Sequence, residues 1–332
     1  MPTSLVTGGA GFIGAHVVNQ LLVLGHRVVV LDDLSGGFRE NVHSDATFVE
    51  GSITDAGLVE SLFSDHRFDY VYHLAAYAAE GLSHFIRRFN YTNNVVGTMT
   101  LVNAAITHRV KCFVFTSSIA VYGSVPPPVT EDTAPRPEDP YGIAKLAVEQ
   151  DLHAARRIFG LNFIVFRPHN VYGELQHIGD RYRNVIGIFM NQLMQQSPLT
   201  VFGDGNQKRA FSYIGDVAPI IAQSVGVKQA YNQTFNIGAD REHTVNDLAK
   251  AVMLAMGIQG DLRHLPARPE ARDLSSDHTK LRGVFGHLSP TPLEQGLGYM
   301  AAWVQEKGAR KTAQFGAIEV TDKLPAFWLE DP

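Results

Sequence analysis

Thr7-Gly8-Gly9-Ala10-Gly11-Phe12-Ile13-Gly14 decides the fold of this 332-residue chain. It satisfies G-x-G-x-x-G through Gly9, Gly11 and Gly14, and G-x-x-G-x-x-G through Gly8, Gly11 and Gly14. A short apolar strand, Leu5-Val-Thr7, precedes it, and a helical pattern over 12–24 follows. Strand, glycine turn and helix in this order are the context of a dinucleotide site. Missing side chains let the backbone approach a pyrophosphate, and a helix N-terminus offers free N–H groups and positive dipole character. Arg27-Val-Val-Val-Leu31 reads as the second strand and ends in Asp32, 18 residues after Gly14. A carboxylate there hydrogen-bonds ribose hydroxyls and repels a 2′-phosphate, which favours NAD over NADP. The neighbouring Asp33 reads as turn chemistry.

The same alternation continues downstream. Thr47-Phe-Val-Glu50, Tyr70-Val-Tyr-His73, Cys112-Phe-Val-Phe-Thr116 and Asn162-Phe-Ile-Val-Phe-Arg167 read as strands, with helical stretches near 91–108 and 141–159. The pattern predicts an α/β fold: a Rossmann-type doubly wound parallel sheet with a smaller C-terminal α/β substrate lobe. The length exceeds what one core usually supports. Residues 1–170 are expected to form the NAD-binding domain, with returning segments near 211–235. Residues 171–330 are expected to form mainly the substrate lobe, including short strands at 199–202 and 234–237. The proline-rich stretch 124–140 reads as an ordered surface loop. It ends in Asp139-Pro140, a good helix start: Asp caps free amides and proline fits the first turn. The tail from Lys311, with Phe315, Phe327 and Trp328, carries no motif, and its aromatics are expected to dock on the body of the protein.

Tyr141-Gly-Ile-Ala-Lys145 follows the glycine turn and the Ser117-Ser118 pair. Residues four apart share a helix face, so phenol and ammonium point into one site. An ammonium beside a phenol is expected to lower the phenol's pKa, making Tyr141 a proton acceptor. Composition sets the remaining bounds. Forty-five percent apolar and 18% charged residues are ordinary for a globular chain. A net charge of −5 gives no case for nucleic acid or a membrane surface as partner. The lone Cys112 excludes an intramolecular disulfide and reads as a core side chain. No signal peptide and no bilayer-spanning apolar run are read in the chain, so a cytoplasmic enzyme is expected. The fourteen histidines form no metal-binding pattern, so no catalytic metal is expected, and His73 reads as structural.

Taken together, T-G-G-A-G-F-I-G, Leu31-Asp-Asp-Leu34, His73-Leu-Ala-Ala76, the S-S-x-A-V-Y-G of 117–123 and Y-G-x-x-K resemble the extended short-chain dehydrogenase/reductase family. The resemblance is greatest to UDP-glucose 4-epimerases and related nucleotide-sugar epimerases, and covers residues 3–285. It implies Ser118, Tyr141 and Lys145 as catalytic residues. It implies NAD contacts at Gly8, Gly11, Phe12, Ile13, Gly14, Asp32, Ile53, Leu74, Ala75, Ala76 and Asn93, besides Tyr141 and Lys145. Substrate contacts are implied at Ser117, Ser118, Asn170, Asn184 and Val185. Phe202-Gly-Asp-Gly-Asn-Gln-Lys-Arg-Ala-Phe211 is similar to the family's G-D-G-x-Q-x-R-x-F, so Arg209 is the implied diphosphate ligand. Arg268 is the second, with Arg272 competing. Two positions depart from the pattern: Ser52 replaces an acidic residue and Ala78 a lysine. Family dehydratases carry an acid–base pair directly after the serine or threonine; here Ile119-Ala120 stands there. The implied reaction is redox-neutral C4 inversion of a UDP-sugar or related nucleotide sugar in a homodimer. A hexuronate 4-epimerase, motivated by Arg181 and Arg183, and a nucleotide-sugar oxidoreductase are the alternatives.

Overall fold

The structure, a computed structural model, describes residues 1–332 except 268–272, 287–288, 312–314, 317 and 329–332. Strand β1 (Thr3–Thr7) feeds the glycine turn and helix α1 (Phe12–Val23), followed by β2 (Arg27–Asp32), β3 (Thr47–Glu50), α2 (Ala56–His66) and β4 (Tyr70–His73). Two short helices, α3 (Glu80–Ser83) and α4 (Arg87–Tyr91), precede α5 (Gly97–Thr107) and β5 (Cys112–Thr116). Helix α6 (Pro140–Phe159) leads to β6 (Phe163–Pro168). The strands are buried on both faces, as parallel strands must be when helices cover each side. Val6, Val28, Val30 and Ile164 feed one core with Val17, Val18 and Leu21 of α1. Their neighbours Leu5, Val29, Leu31 and Val165 feed the other, with Val59, Leu101, Val148 and Leu152.

The expected single helix over 91–108 is interrupted. A wide π-type turn spans Thr92–Val96 between α4 and α5. Asn94 donates to Asn90 Oδ1 at 2.7 Å and its Oδ1 accepts from the Tyr77 amide at 3.2 Å. Asparagine side chains compete with helical backbone bonds, and here they tie the helix to the loop after β4. Such bulges are frequent at functional sites, and Asn93 faces the cavity described below.

The chain then builds β7 (Val171–Tyr172), α7 (Val185–Met194), β8 (Leu199–Phe202), β9 (Lys208–Ala210), β10 (Ser212–Tyr213) and α8 (Ile214–Gln223). Next come β11 (Gln233–Ile237), β12 (Glu242–Thr244), α9 (Val245–Met256), β13 (Leu262–Leu265), α10 (Thr279–Phe285) and α11 (Leu293–Lys307). Helices α7, α9 and α11 share a third core through Phe189, Leu193, Leu248, Val252, Leu297 and Met300. The strand at 234–237 lies in the main sheet, with the segments expected to return near 211–235, and not in the lobe. As β11 it pairs in parallel with β6, completing a seven-stranded sheet of order β11-β6-β5-β4-β1-β2-β3. Phe235 and Ile237 are buried there, and Val217, Ile220 and Ile221 of α8 join the core of α1. An apolar β6 with an open edge would be a pairing hazard; β11 closes it. Strand order reverses between β1 and β4, so ligands are expected in the crevice beyond the carboxyl ends of these strands. No described helix is long and apolar enough to cross a membrane.

Candidate active site

A cavity of about 440 Å³ opens at those strand ends. Gly8 turns the chain with φ +72°, and a Cβ on it would lie 2.6 Å from the Ala75 amide nitrogen. A Cβ on Gly14 would collide with the Gly8 carbonyl oxygen. The turn therefore packs against the β4 loop at a distance only glycine permits. No side chain caps the N-terminus of α1 at Gly11. Gly8, Gly11, Phe12, Ile13, Gly14, Asp32, Ile53, Leu74, Ala75, Ala76 and Asn93 all line the cavity. Asp32 is buried and accepts the amides of Ala10 (3.0 Å) and Leu34 (2.8 Å). Burial raises its pKa, and those two amides oppose the rise. Thr116 Oγ1, also on the lining, is buried with no hydrogen-bond partner among the described residues. An uncapped helix start after β1, a carboxylate at the end of β2 and an orphan hydroxyl at the end of β5 fit a dinucleotide lying across the strand ends.

Helix α6 brings Tyr141 and Lys145 to the same cavity. Asp139 caps it, accepting the Gly142 amide at 2.9 Å, and Pro140 occupies the first turn. Tyr141 and Lys145 are buried on one face of the helix, and both line the cavity with Ser118. Lys145 Nζ lies 5.7 Å from the Tyr141 ring centroid and donates to the Thr116 carbonyl at 2.7 Å. The expected lowering of the phenol pKa is overridden. Burial raises it, the charge of Glu80 adds to the rise, and hydrogen bonding with Ser118 opposes it. Burial also pulls Lys145 down to about 7, against the opposing charge of Glu149. Desolvation disfavours both charged forms alike.

Ser117 differs from its neighbour. It also lines the cavity, while its hydroxyl donates to Glu149 Oε1 at 2.5 Å. Glu149 in turn receives Arg167 Nε at 2.9 Å and Nη2 at 2.5 Å, and Arg167 Nη1 donates to Tyr122 Oη at 2.7 Å. This buried, bidentate pair anchors β5, α6 and β6 behind the serines. Its one sequence signal is Glu149 four residues beyond Lys145 on the α6 face, and the motif reading passes over it. Sequence reasoning also passes over Glu80, which lines the cavity beside Tyr141 from the start of α3.

On the second lobe, Asn170, Asn184, Val185 and Arg209 line the cavity. Asn170 and Asn184 hold left-handed backbone, φ 41° and 62°, which asparagine tolerates. Asn170 Nδ2 donates to the Ala210 carbonyl at 3.1 Å, beside Arg209 on β9. Arg268 and its competitor Arg272 lie outside the described residues. The basic loop is less basic than it reads: Arg183 is held by Asp180 at 2.6 Å, and Arg181 donates to the Phe327 carbonyl at 2.6 Å. His73 is bonded to Thr7 and Thr98 on its two nitrogens. Burial first, then Lys145, lowers it to about 3, so it is a neutral structural group. Cys112 is buried, and burial pushes its thiol well up. Among the described residues no His, Cys, Asp and Glu group is arranged to hold a metal ion.

Residues 4–238 match the NAD dependent epimerase/dehydratase family. The chain is 34% identical over 312 residues to a UDP-glucose 4-epimerase of Mycolicibacterium smegmatis, covering 92% of this chain and 99% of that one. The structure superposes on a UDP-glucose 4-epimerase of Thermotoga maritima solved with UDP-glucose, at TM-score 0.86 and 35% identity, over 92% and 99% of the two chains. It also superposes on a UDP-glucose 4-epimerase of Thermus thermophilus in complex with NAD, at TM-score 0.85 and 30% identity, over 91% and 99%.

Proposed function

The chain belongs to the NAD-dependent epimerase/dehydratase family, and we propose that within it the protein inverts C4 of a UDP-hexose such as UDP-glucose or UDP-galactose. The observation that carries this reading is one cavity lined together by the glycine turn, Asp32, Ser118, Tyr141, Lys145 and Arg209. Gly8–Gly14, Asp32 and Lys145 would hold NAD, which when bound would supply the acceptor for the C4 hydrogen and its return. Tyr141, as its phenolate, accepts the proton of the C4 hydroxyl and gives it back, a form that burial opposes and that the hydrogen bond with Ser118 favours. Ser118 hydrogen-bonds the same oxygen. Lys145, held near 7, is matched to proton handling at working pH. Arg209 takes the diphosphate, for which a guanidinium fork is suited. Ile119 and Ala120 supply no second acid after the serines, which disfavours elimination. The pairing of Arg183 with Asp180 weakens the argument for a hexuronate. A homodimer in the cytoplasm completes the proposal; exposed Val96 and Ile143, beside α5 and on α6, are apolar surface that a helix-bundle interface would cover.

The deciding experiment is incubation with UDP-, GDP-, CDP- and dTDP-sugars in heavy water, followed by NMR. Inversion at C4 with every carbon-bound hydrogen retained is expected. Deuterium at C3 or C5 would point to carbon deprotonation. Loss of the C6 hydroxyl would instead recruit Glu80 as the acid of a dehydratase.

A further inference from the structure

Beside Tyr141 the cavity has a wall that no motif explains. Tyr77 comes from the loop after β4, Tyr182 and Arg183 from the loop before α7, and all three line the cavity. The Arg183 guanidinium lies over the Tyr77 ring, 4.6 Å from its centroid, joining the two lobes. Tyr141, Glu80 and Arg183 line the same cavity, and the charges of Glu80 and Arg183 act on the Tyr141 phenol.

The C-terminal segment holds that wall from behind. Phe315 packs against Tyr77 at 5.0 Å and Phe89 at 4.9 Å between centroids, and its amide donates to Tyr182 Oη at 3.2 Å. Trp328 packs edge-on against Tyr182 at 5.2 Å and Phe85 at 6.1 Å. Gly81 leaves room for it: a Cβ there would lie 3.3 Å from the indole. Between these anchors the Glu319 carboxylate accepts the amides of Arg88 and Phe89 at 2.7 and 2.9 Å. Leu324 and Trp328 share a buried cluster with Ala79, Leu82 and Ile86. The segment therefore grips both lobes, and each of its aromatic ends touches a cavity tyrosine.

Resting on the reading of the cavity as a nucleotide-sugar site, we infer that segment 315–328 is a specificity-determining part of that site. By fixing Tyr77 and Tyr182, its described residues Phe315 and Trp328 set the aromatic wall against which the hexose ring is held. Its residues are positioning residues, since they reach the sugar only through those tyrosines. Well-packed aromatic walls with a few polar groups are the usual means of orienting a small ligand.

The test uses the full-length, NAD-loaded chain with Phe315→Ala, Trp328→Ala and the conservative Trp328→Phe. Affinities for UDP and for UDP-glucose are measured separately by calorimetry, alongside C4 inversion. UDP binding is expected within about twofold of the parent, while UDP-glucose binding weakens about tenfold in both alanine variants, a loss of about 1.4 kcal/mol. Trp328→Phe is expected to restore most of it. Unchanged UDP-glucose affinity, or equal loss for UDP and UDP-glucose, overturns the inference; the second outcome reports a loosened fold. The expected affinity pattern in a parent chain that does not invert C4 sinks the proposed reaction and leaves the inference standing. A parent chain that binds no UDP-glucose removes both.

Discussion

Tyr141→Phe keeps the ring packed on α6 and removes only the oxygen that handles the proton. Turnover is expected to fall about 10²- to 10⁴-fold, the usual worth of general acid–base assistance. Cofactor content, read by absorbance after denaturation, is expected to stay unchanged. Normal turnover would take Tyr141 out of the mechanism. Lys145 offers a second check through pH. Its folded value of about 7 lies below the unfolded 10.5, so burying the ammonium costs stability fully below pH 7. That cost fades as pH rises from 7 towards 10.5, because there the unfolded chain binds the extra proton. Lys145→Met is therefore expected to gain more stability, relative to the parent, at pH 6.5 than at pH 9 in urea unfolding. An equal difference at both pH values would show that Lys145 is not desolvated as the structure has it. Motif spacing marked this pair in the sequence. It did not reveal that burial acts against both charges at once, because desolvation is set by what packs around α6.

Helix α6 illustrates how far an element is legible and where legibility stops. Asp139-Pro140 announces its start, and the structure has the cap bond to Gly142. Asp139→Ala is expected to cost about 1 kcal/mol, the typical worth of an N-cap, measured by chemical unfolding. Turnover is expected to fall as well, since Tyr141 sits in the first turn; unaltered stability would deny the cap any role. The strands of the first half were equally readable, because parallel strands buried on both faces are continuous apolar runs. The break at Thr92–Val96 was not, since it arises from asparagines that bond to Tyr77 and Asn90, and the apolar period runs through it. Nor was Ser117's partner: Glu149 lies 32 residues away and meets it only across the packed layer of α6 on β5.

The described residues close a cavity between a large sheet and a small lobe, and Arg209 on β9 is one of the lobe's cations on it, with Arg183. Arg209→Ala is expected to raise the KM for a nucleotide sugar roughly 10- to 150-fold, matching about 1.5–3 kcal/mol for hydrogen bonds to a charged group. The parent's NAD content should be kept. An unmoved KM would put the diphosphate elsewhere. The glycine turn, Asp32, Tyr141 and Arg209 were each found from local patterns, because each belongs to a motif of adjacent residues. That the tail's aromatics dock on the body was legible; that they meet cavity tyrosines was not, since Phe315 and Trp328 meet Tyr77 and Tyr182 only after both lobes have formed. The return of β11 to the sheet has a consequence for synthesis. β6 ends at Pro168 and β11 begins at Gln233. A ribosome adding about 5–20 residues per second leaves that interval open for roughly 3–13 seconds. Throughout it the nascent chain carries an apolar strand with an unpaired edge, a template for any neighbouring chain. The domain that holds the cofactor therefore cannot finish folding as its own N-terminal sequence emerges, and must wait, shielded, for a strand made much later.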